Sequence, residues 1–158
     1  MAGNDGGPHV QLAVFAEQFI RGAQSGNLSV INIIDAIGVA GPDPNEMPSV
    51  SLANFKIIIN LWADKTKGRY NIKLRPQEPS GLYGDDIDLG PVNFTPTALG
   101  VDIIRQMPNY EVSEEGTYWF DVLLVPPGED EGQVLTRMPF TVRYQPGVMI
   151  QMPGGPTS

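Results

Sequence analysis

Glu114-Glu115-Gly116-Thr117-Tyr118-Trp119-Phe120-Asp121-Val122-Leu123-Leu124-Val125 is followed by a Pro/Gly/acidic break. The chain then resumes as Gln133-Val134-Leu135-Thr136-Arg137-Met138-Pro139-Phe140-Thr141-Val142-Arg143-Tyr144. Two apolar, β-rich runs around such a break predict a β-hairpin. Alternation sends Tyr118, Phe120, Val122 and Leu124 to the core and Trp119 and Asp121 to the other face. In the return run Pro139 has no amide hydrogen for a ladder, so that strand is an edge or carries a bulge there. A bulge would also bring Leu135 into phase with Phe140 and Val142.

The same periodicity recurs upstream. From Phe55, the residues Phe55, Ile57, Ile59 and Leu61 share one face, and Lys56, Ile58, Asn60 and Trp62 share the other. Ala63–Gly68 reads as a polar hairpin turn. Arg69 to Arg75 then returns with Tyr70, Ile72 and Leu74 inward and Arg69, Asn71, Lys73 and Arg75 outward. Further strands are expected from His9 to Ile20 and from Leu28 to Val39. The second is so densely apolar that both its faces are expected to be covered. Gly41–Pro48 holds three prolines and is a loop. Asp85–Phe94 is a weak strand broken by Gly90-Pro91, and Leu99–Met107 reads as a strand ahead of Pro108. Seven or eight short strands with turns between them predict an all-β, antiparallel sandwich. A chain of 158 residues is one domain with a real core. Its expected limits are 9–145, with a flexible segment at 1–8 and a flexible Pro/Gly-rich tail at 146–158.

Glu114-Glu115-Gly116-Thr117-Tyr118-Trp119-Phe120 resembles the corner and following strand of immunoglobulin-like domains, where a tyrosine hydroxyl ties back to backbone just upstream. Phe120 stands where antibody domains carry a cysteine, which removes the disulfide and not the fold. Ser25-Gly26-Asn27-Leu28-Ser29-Val30-Ile31-Asn32-Ile33-Ile34-Asp35-Ala36-Ile37 resembles the start of a group of small bacterial proteins known only as a domain of unknown function. Gly116–Val122 with Leu135-Thr136-Arg137-Met138-Pro139-Phe140 is similar to that group's end. The likeness spans Val10 to Tyr144. It implies an immunoglobulin-like sandwich with Gly116, Tyr118 and Phe120 as structural residues. It brings no catalytic residue with it.

Composition narrows the chemistry. There is no cysteine, so disulfides, thiolate metal sites and cysteine nucleophiles are excluded. The single histidine, His9, cannot build a His-based metal cluster, and a Ser-His-Asp triad would need it. Net charge is −8, which argues against nonspecific nucleic-acid binding. The start has neither the basic nor the apolar region of a secretory signal, and no run is long enough to span a membrane. The expected setting is therefore cytoplasmic, and the expected role is not enzymatic, with no cofactor.

Three acidic groups stand out: Asp85-Asp86-x-Asp88, Glu114-Glu115 and Glu129-Asp130-Glu131. They could hold calcium, but they match no calcium loop, and solvated turns are the simpler reading. Trp62, Trp119 and Tyr83 could form a sugar-binding platform or could be packing. Charge is segregated along the chain. Lys56 to Arg75 carries +5, and Pro76 to Glu131 carries −11. One consequence is a partner-binding strip of Lys56, Ile58, Trp62, Arg69, Lys73 and Arg75 on the predicted Phe55–Arg75 hairpin. It would dock an acidic partner or the acidic side of another copy. A solvated outer sheet face accounts for the same charges. The expected function is an interaction or structural module, self-association included. The alternative is a sandwich that binds carbohydrate or another ligand through exposed aromatics.

Overall fold

A computed structural model describes residues 6–97 and 99–147. Among them there is no helix, and eleven strands account for the regular structure. In chain order they are β1 (His9–Arg21), β2 (Leu28–Ile34), β3 (Ala36–Gly41), β4 (Val50–Ser51), β5 (Lys56–Trp62) and β6 (Gly68–Gln77). There follow β7 (Ile87–Phe94), β8 (Gly100–Gln106), β9 (Glu111–Val112), β10 (Gly116–Val125) and β11 (Gln133–Pro146). Four form an antiparallel sheet in the order β2-β1-β5-β8. Five form a second sheet in the order β3-β11-β10-β6-β7, in which β3 runs parallel to β11. β4 and β9 make a two-residue ribbon.

The hairpin at Glu114–Tyr144 forms as its sequence predicts, with β10 central in the five-stranded sheet. Its inward residues meet those of the four-stranded sheet in one core. Phe120 packs edge-on against Phe15 of β1, with ring centroids 5.1 Å apart, and against Tyr110 at 5.5 Å. Ile57, Ile59, Leu61, Ile72, Leu74, Tyr118, Val122 and Leu124 are buried in that core, and Phe55 and Tyr70 pack on its margin. The bulge falls between Val122 and Leu123, opposite Leu135, and not at Pro139. Pro139 pairs with Trp119 on one side, and the β3 pairing begins only at Thr141. Its missing donor therefore sits where β11 needs none.

Several expectations change. The all-β reading holds, but the strands number eleven among the described residues rather than seven or eight, and the five-stranded sheet is mixed rather than antiparallel because β3 pairs parallel with β11. The strand predicted over Leu28–Val39 is two strands. It breaks at Asp35, and its halves enter different sheets. Nor is it covered on both faces: β2 is an edge strand with Ile33 56% exposed. The Phe55–Arg75 hairpin does not form. β5 is already paired on both sides by β1 and β8, and β6 by β10 and β7, so Ala63–Lys67 carries the chain from one sheet to the other. Finally, the chain is tied down before His9. Gly6 O accepts from Lys65 N, and Pro8 is buried, so the expected flexible segment does not extend over Gly6–Pro8. Met1–Asp5 and residues 148–158 lie outside the described residues. Pro146, assigned to the flexible tail, ends β11 opposite Gly41.

The β1–β2 hairpin curls back over the outer side of its own sheet. Arg21, at the far end of β1, donates to Asp102 of β8 at 2.7 Å. Asp102 in turn holds Asn60 of β5. Leu12, Leu28 and Asn60 line a single cavity beneath the hairpin tip. This cover explains why β5 buries three consecutive isoleucines, including Ile58 on the outward phase.

The corner ahead of β10 is a closed hydrogen-bonded unit. The Tyr118 hydroxyl donates to Glu114 O at 3.0 Å and accepts from Glu114 N at 3.3 Å. Gly116, at φ 134°, has no room for a side chain, because a Cβ there would lie 2.7 Å from Pro79 Cβ. Tyr118→Phe removes the corner's hydroxyl bonds and should cost about 0.5–1.5 kcal/mol in chemical denaturation.

Tyr110 lies beside Tyr118 and supplies a pH signal. Burial, reinforced by the charge of Glu78, pushes the Tyr110 phenol up to about 12. The native state therefore holds its proton above the pH at which the unfolded chain, near pH 10, gives it up. This contribution to stability is complete below about pH 10 and is lost as pH rises toward 12. Stability measured from pH 9 to 12 should fall more steeply in the wild type than in Tyr110→Phe.

Candidate protein-interaction face

The outer side of β6, β10 and β11 carries a cluster that alternation sets in place. Trp119 and Asp121 point outward from β10. Register puts Gln77 and Pro139 beside Trp119, and Arg75 and Arg137 beside Asp121. Asp121 is the buried charged residue of the described chain, 7% exposed, and Arg137 Nε donates to it at 2.7 Å. The Arg137 guanidinium lies over the Trp119 ring, 4.8 Å from its centroid, and also donates to Gln77 Oε1 at 2.6 Å. One arginine is thus fixed by a carboxylate, an amide and an aromatic face, while its side chain stays 42% exposed. Cation–π geometry and a charge-assisted bond together leave it little freedom.

Arg75, on the other flank of Asp121, turns to Asp86, donating from Nε at 2.9 Å and from Nη2 at 3.3 Å. That contact raises the Arg75 pKa above its ordinary value. Beyond Gln77 the chain turns through Glu78–Gly84. Glu78 N donates to Leu82 O, Gly84 N donates to Pro76 O, and Gln77 bridges to Tyr83. The turn holds out Leu82, 67% exposed, and Tyr83, 58% exposed. At the opposite end of the face Leu123 and Val125 are buried, and Gly132 of the following turn packs against Val125.

No family model matches this chain, and no curated protein matches it.

The residues of the predicted strip are placed as follows. Arg69, Lys73 and Arg75 do line the outer face of β6, with Arg69 exposed and the other two half-buried. Lys56, Ile58 and Trp62 belong to the other sheet, so the six do not form one surface. Ile58 is fully buried. Trp62 is 39% exposed at the end of β5, beside Leu99, whose carbonyl accepts from Ala63 N. Trp119 is half-buried and Tyr83 exposed on the five-stranded side, so Trp62 does not join them in one platform. The three acidic groups also stay apart. Asp86 is engaged by Arg75, Asp88 accepts from Gly90 N, and among the described residues no three His, Asp or Glu side chains converge.

Asp121, Arg137 and Gln77 were absent from the predicted strip. The available signal was an acid in the outward phase of a strongly apolar strand, directly opposite an arginine once the hairpin register is drawn.

Proposed function

We propose that the chain is a cytoplasmic, non-enzymatic interaction module of immunoglobulin-like type, and that it meets a protein partner through the outer face of β6, β10 and β11. The fold part of this reading draws on the Tyr118 corner and on the parallel β3–β11 pairing beside antiparallel neighbours. It also draws on the family resemblance of Gly116–Val122. The observation that carries the functional part is the fixed Trp119–Arg137–Asp121 cluster. Trp, Tyr and Arg are the residues that dominate protein interfaces. An arginine already ordered in the free protein loses little entropy on binding. The partner's surface would be mixed: carboxylates for Arg137 and Arg69, and an apolar depression for Leu82 and Tyr83.

The partner should first be captured on wild-type protein and then titrated against variants. Trp119→Ala is expected to weaken binding roughly tenfold or more, as an anchor residue does. Trp62→Ala, on the other sheet, should leave it unchanged. Equal affinity of Trp119→Ala and wild type would end this reading. The exposed Trp62 beside Leu99 keeps the carbohydrate-binding alternative specific. A glycan array signal that disappears in Trp62→Ala would favour it instead.

A further inference from the structure

We propose that the outer face of the four-stranded sheet binds a neutral saccharide, seated in the cavity beneath the β1–β2 hairpin and reaching Trp62 at its rim. The proposal goes beyond the protein-interaction reading, whose face lies on the other sheet, and rests on the carbohydrate alternative. Register arranges the outward side chains of β1, β5 and β8 in three rows. Val14, Ile58 and Ile104 make an apolar row. Leu12, Asn60 and Asp102 make a mixed row. His9, Trp62 and Gly100 make the row at the end of β5. A cavity of about 470 Å³ opens at the mixed row, lined by Gln11, Leu12, Asn27, Leu28 and Asn60. Small-molecule sites typically measure roughly 300–1,000 Å³.

Each wall of the cavity has a cause in the chain. Val10 pairs with Leu61 and Leu12 with Asn60, so Gln11 is the extra residue of a β-bulge. Bulges re-aim side chains, and this one brings Gln11 and Leu12 to the cavity together. The roof is Asn27 and Leu28. Leu28 pairs with Arg21, and Arg21 reaches across β5 to Asp102 at 2.7 Å, so that ion pair holds the roof over the floor. At the rim Trp62 is 39% exposed, and Gly100 stands opposite it on β8 with no side chain. Outside its chain neighbours, a Cβ on Gly100 would come within 4 Å of Leu61 O alone, at 3.6 Å. The β8 flank of Trp62 is therefore open.

The ligand class follows from the lining. None of the five residues carries a charge, and three are carboxamides. The side-chain amides of Gln11 and Asn27 have no hydrogen-bond partner among the described residues. Asn60 donates to Asp102, which leaves its own oxygen as an acceptor. A carboxamide both donates and accepts, and so does a sugar hydroxyl. Leu12 and Leu28 offer apolar surface to the C–H side of a sugar ring, and Trp62 adds more about 7 Å further along β5. A purely apolar ligand would bury these amides without partners. An acidic ligand fares no better. Arg21 is already neutralised by Asp102, His9 at the rim is bonded to Asp64, and the chain carries −8.

The full chain is tested against immobilised neutral oligosaccharides of glucose, galactose, mannose and N-acetylglucosamine, with uronate oligosaccharides beside them. The tightest neutral probe is then titrated by calorimetry. Trp62→Ala should weaken binding roughly tenfold, as loss of an aromatic anchor does. Gln11→Ala and Asn27→Ala should each weaken it about twofold to tenfold, the value of one hydrogen bond. Gly100→Val fills the gap beside Trp62 without removing a polar group, and should weaken binding as much as Trp62→Ala. Gln11, Asn27 and Gly100 are exposed, and circular dichroism checks the fold of each variant. Trp119→Ala should bind the probe like the wild type. A loss in Trp62→Ala with none in Gln11→Ala or Asn27→Ala would overturn the cavity and leave the carbohydrate reading standing on Trp62. No neutral probe bound at roughly 1 mM would overturn both. Tighter binding of the uronates would overturn the ligand class.

Discussion

Phe120→Ala should lower the unfolding free energy by about 3–5 kcal/mol, as read from the midpoint of urea denaturation with an unchanged slope. Phe120 has no exposed surface and sits where the two sheets meet. It touches Phe15 from one sheet and Tyr110 from the segment before β9, both edge-on. Truncation removes the transfer energy of the ring and leaves a cavity whose walls are β-strands. Strands paired on both sides cannot easily collapse inward, since β10 is held by β6 and β11. The cost should therefore fall in the upper part of that range. Phe140, which packs on Phe15 from β11 at 5.7 Å, offers the comparison. Its strand is paired on one side only just before it, at Pro139, so relaxation is easier and the loss should be smaller. A Phe120→Ala loss below about 1 kcal/mol would mean that the sheets do not meet as described.

Alternation is enough to find strands and to say which residues share a face. That is why Phe55, Ile57, Ile59, Leu61 and the inward residues of β6 and β10 fall together in the core. What alternation cannot say is what lies on the other face. Ile58 is on the outward phase, yet a hairpin folded from residues far upstream covers it. Nor does local chemistry say which strands pair. Ala63–Gly68 has the polar, glycine-ended composition of a hairpin turn, and in the structure it is a crossover between sheets. The deciding facts are that β1 and β8 fill both edges of β5, and both lie at a distance in sequence. The break at Asp35 was hidden for a related reason. Ile33 to Ile37 reads as one β-rich run, and only the competing demands of two sheets split it. Charge segregation was real as a count but weak as a map. Arg75 and Arg21 are bound to acids of the same molecule, from different parts of the chain.

Arg137→Ala should cost about 2–3 kcal/mol, and more than Asp121→Ala, although the arginine is the more exposed of the two. The asymmetry comes from what each truncation leaves behind. Without Arg137, the Asp121 carboxylate, 9% exposed in the intact chain, is left on a central strand with its ion-pair partner gone. Arg75, next to it in register, is already committed to Asp86 and would have to give up that contact to help. Without Asp121, the Arg137 guanidinium keeps water, Gln77 and the Trp119 ring. Removing both charges at once, with Asp121→Leu and Arg137→Leu, leaves no buried ion and should cost less than Arg137→Ala alone. The wild type, the two alanine singles and the Asp121→Ala/Arg137→Ala double form a double-mutant cycle, and the coupling between the two sites should be about 1–2 kcal/mol in favour of the pair. If Arg137→Ala is no worse than a typical exposed ion-pair loss, below about 1 kcal/mol, then Asp121 finds a second partner when Arg137 is gone. Arg75 is the residue in position to supply it. The triple comparison with Arg75→Ala separates these cases, because that substitution should then expose the full cost of the stranded carboxylate.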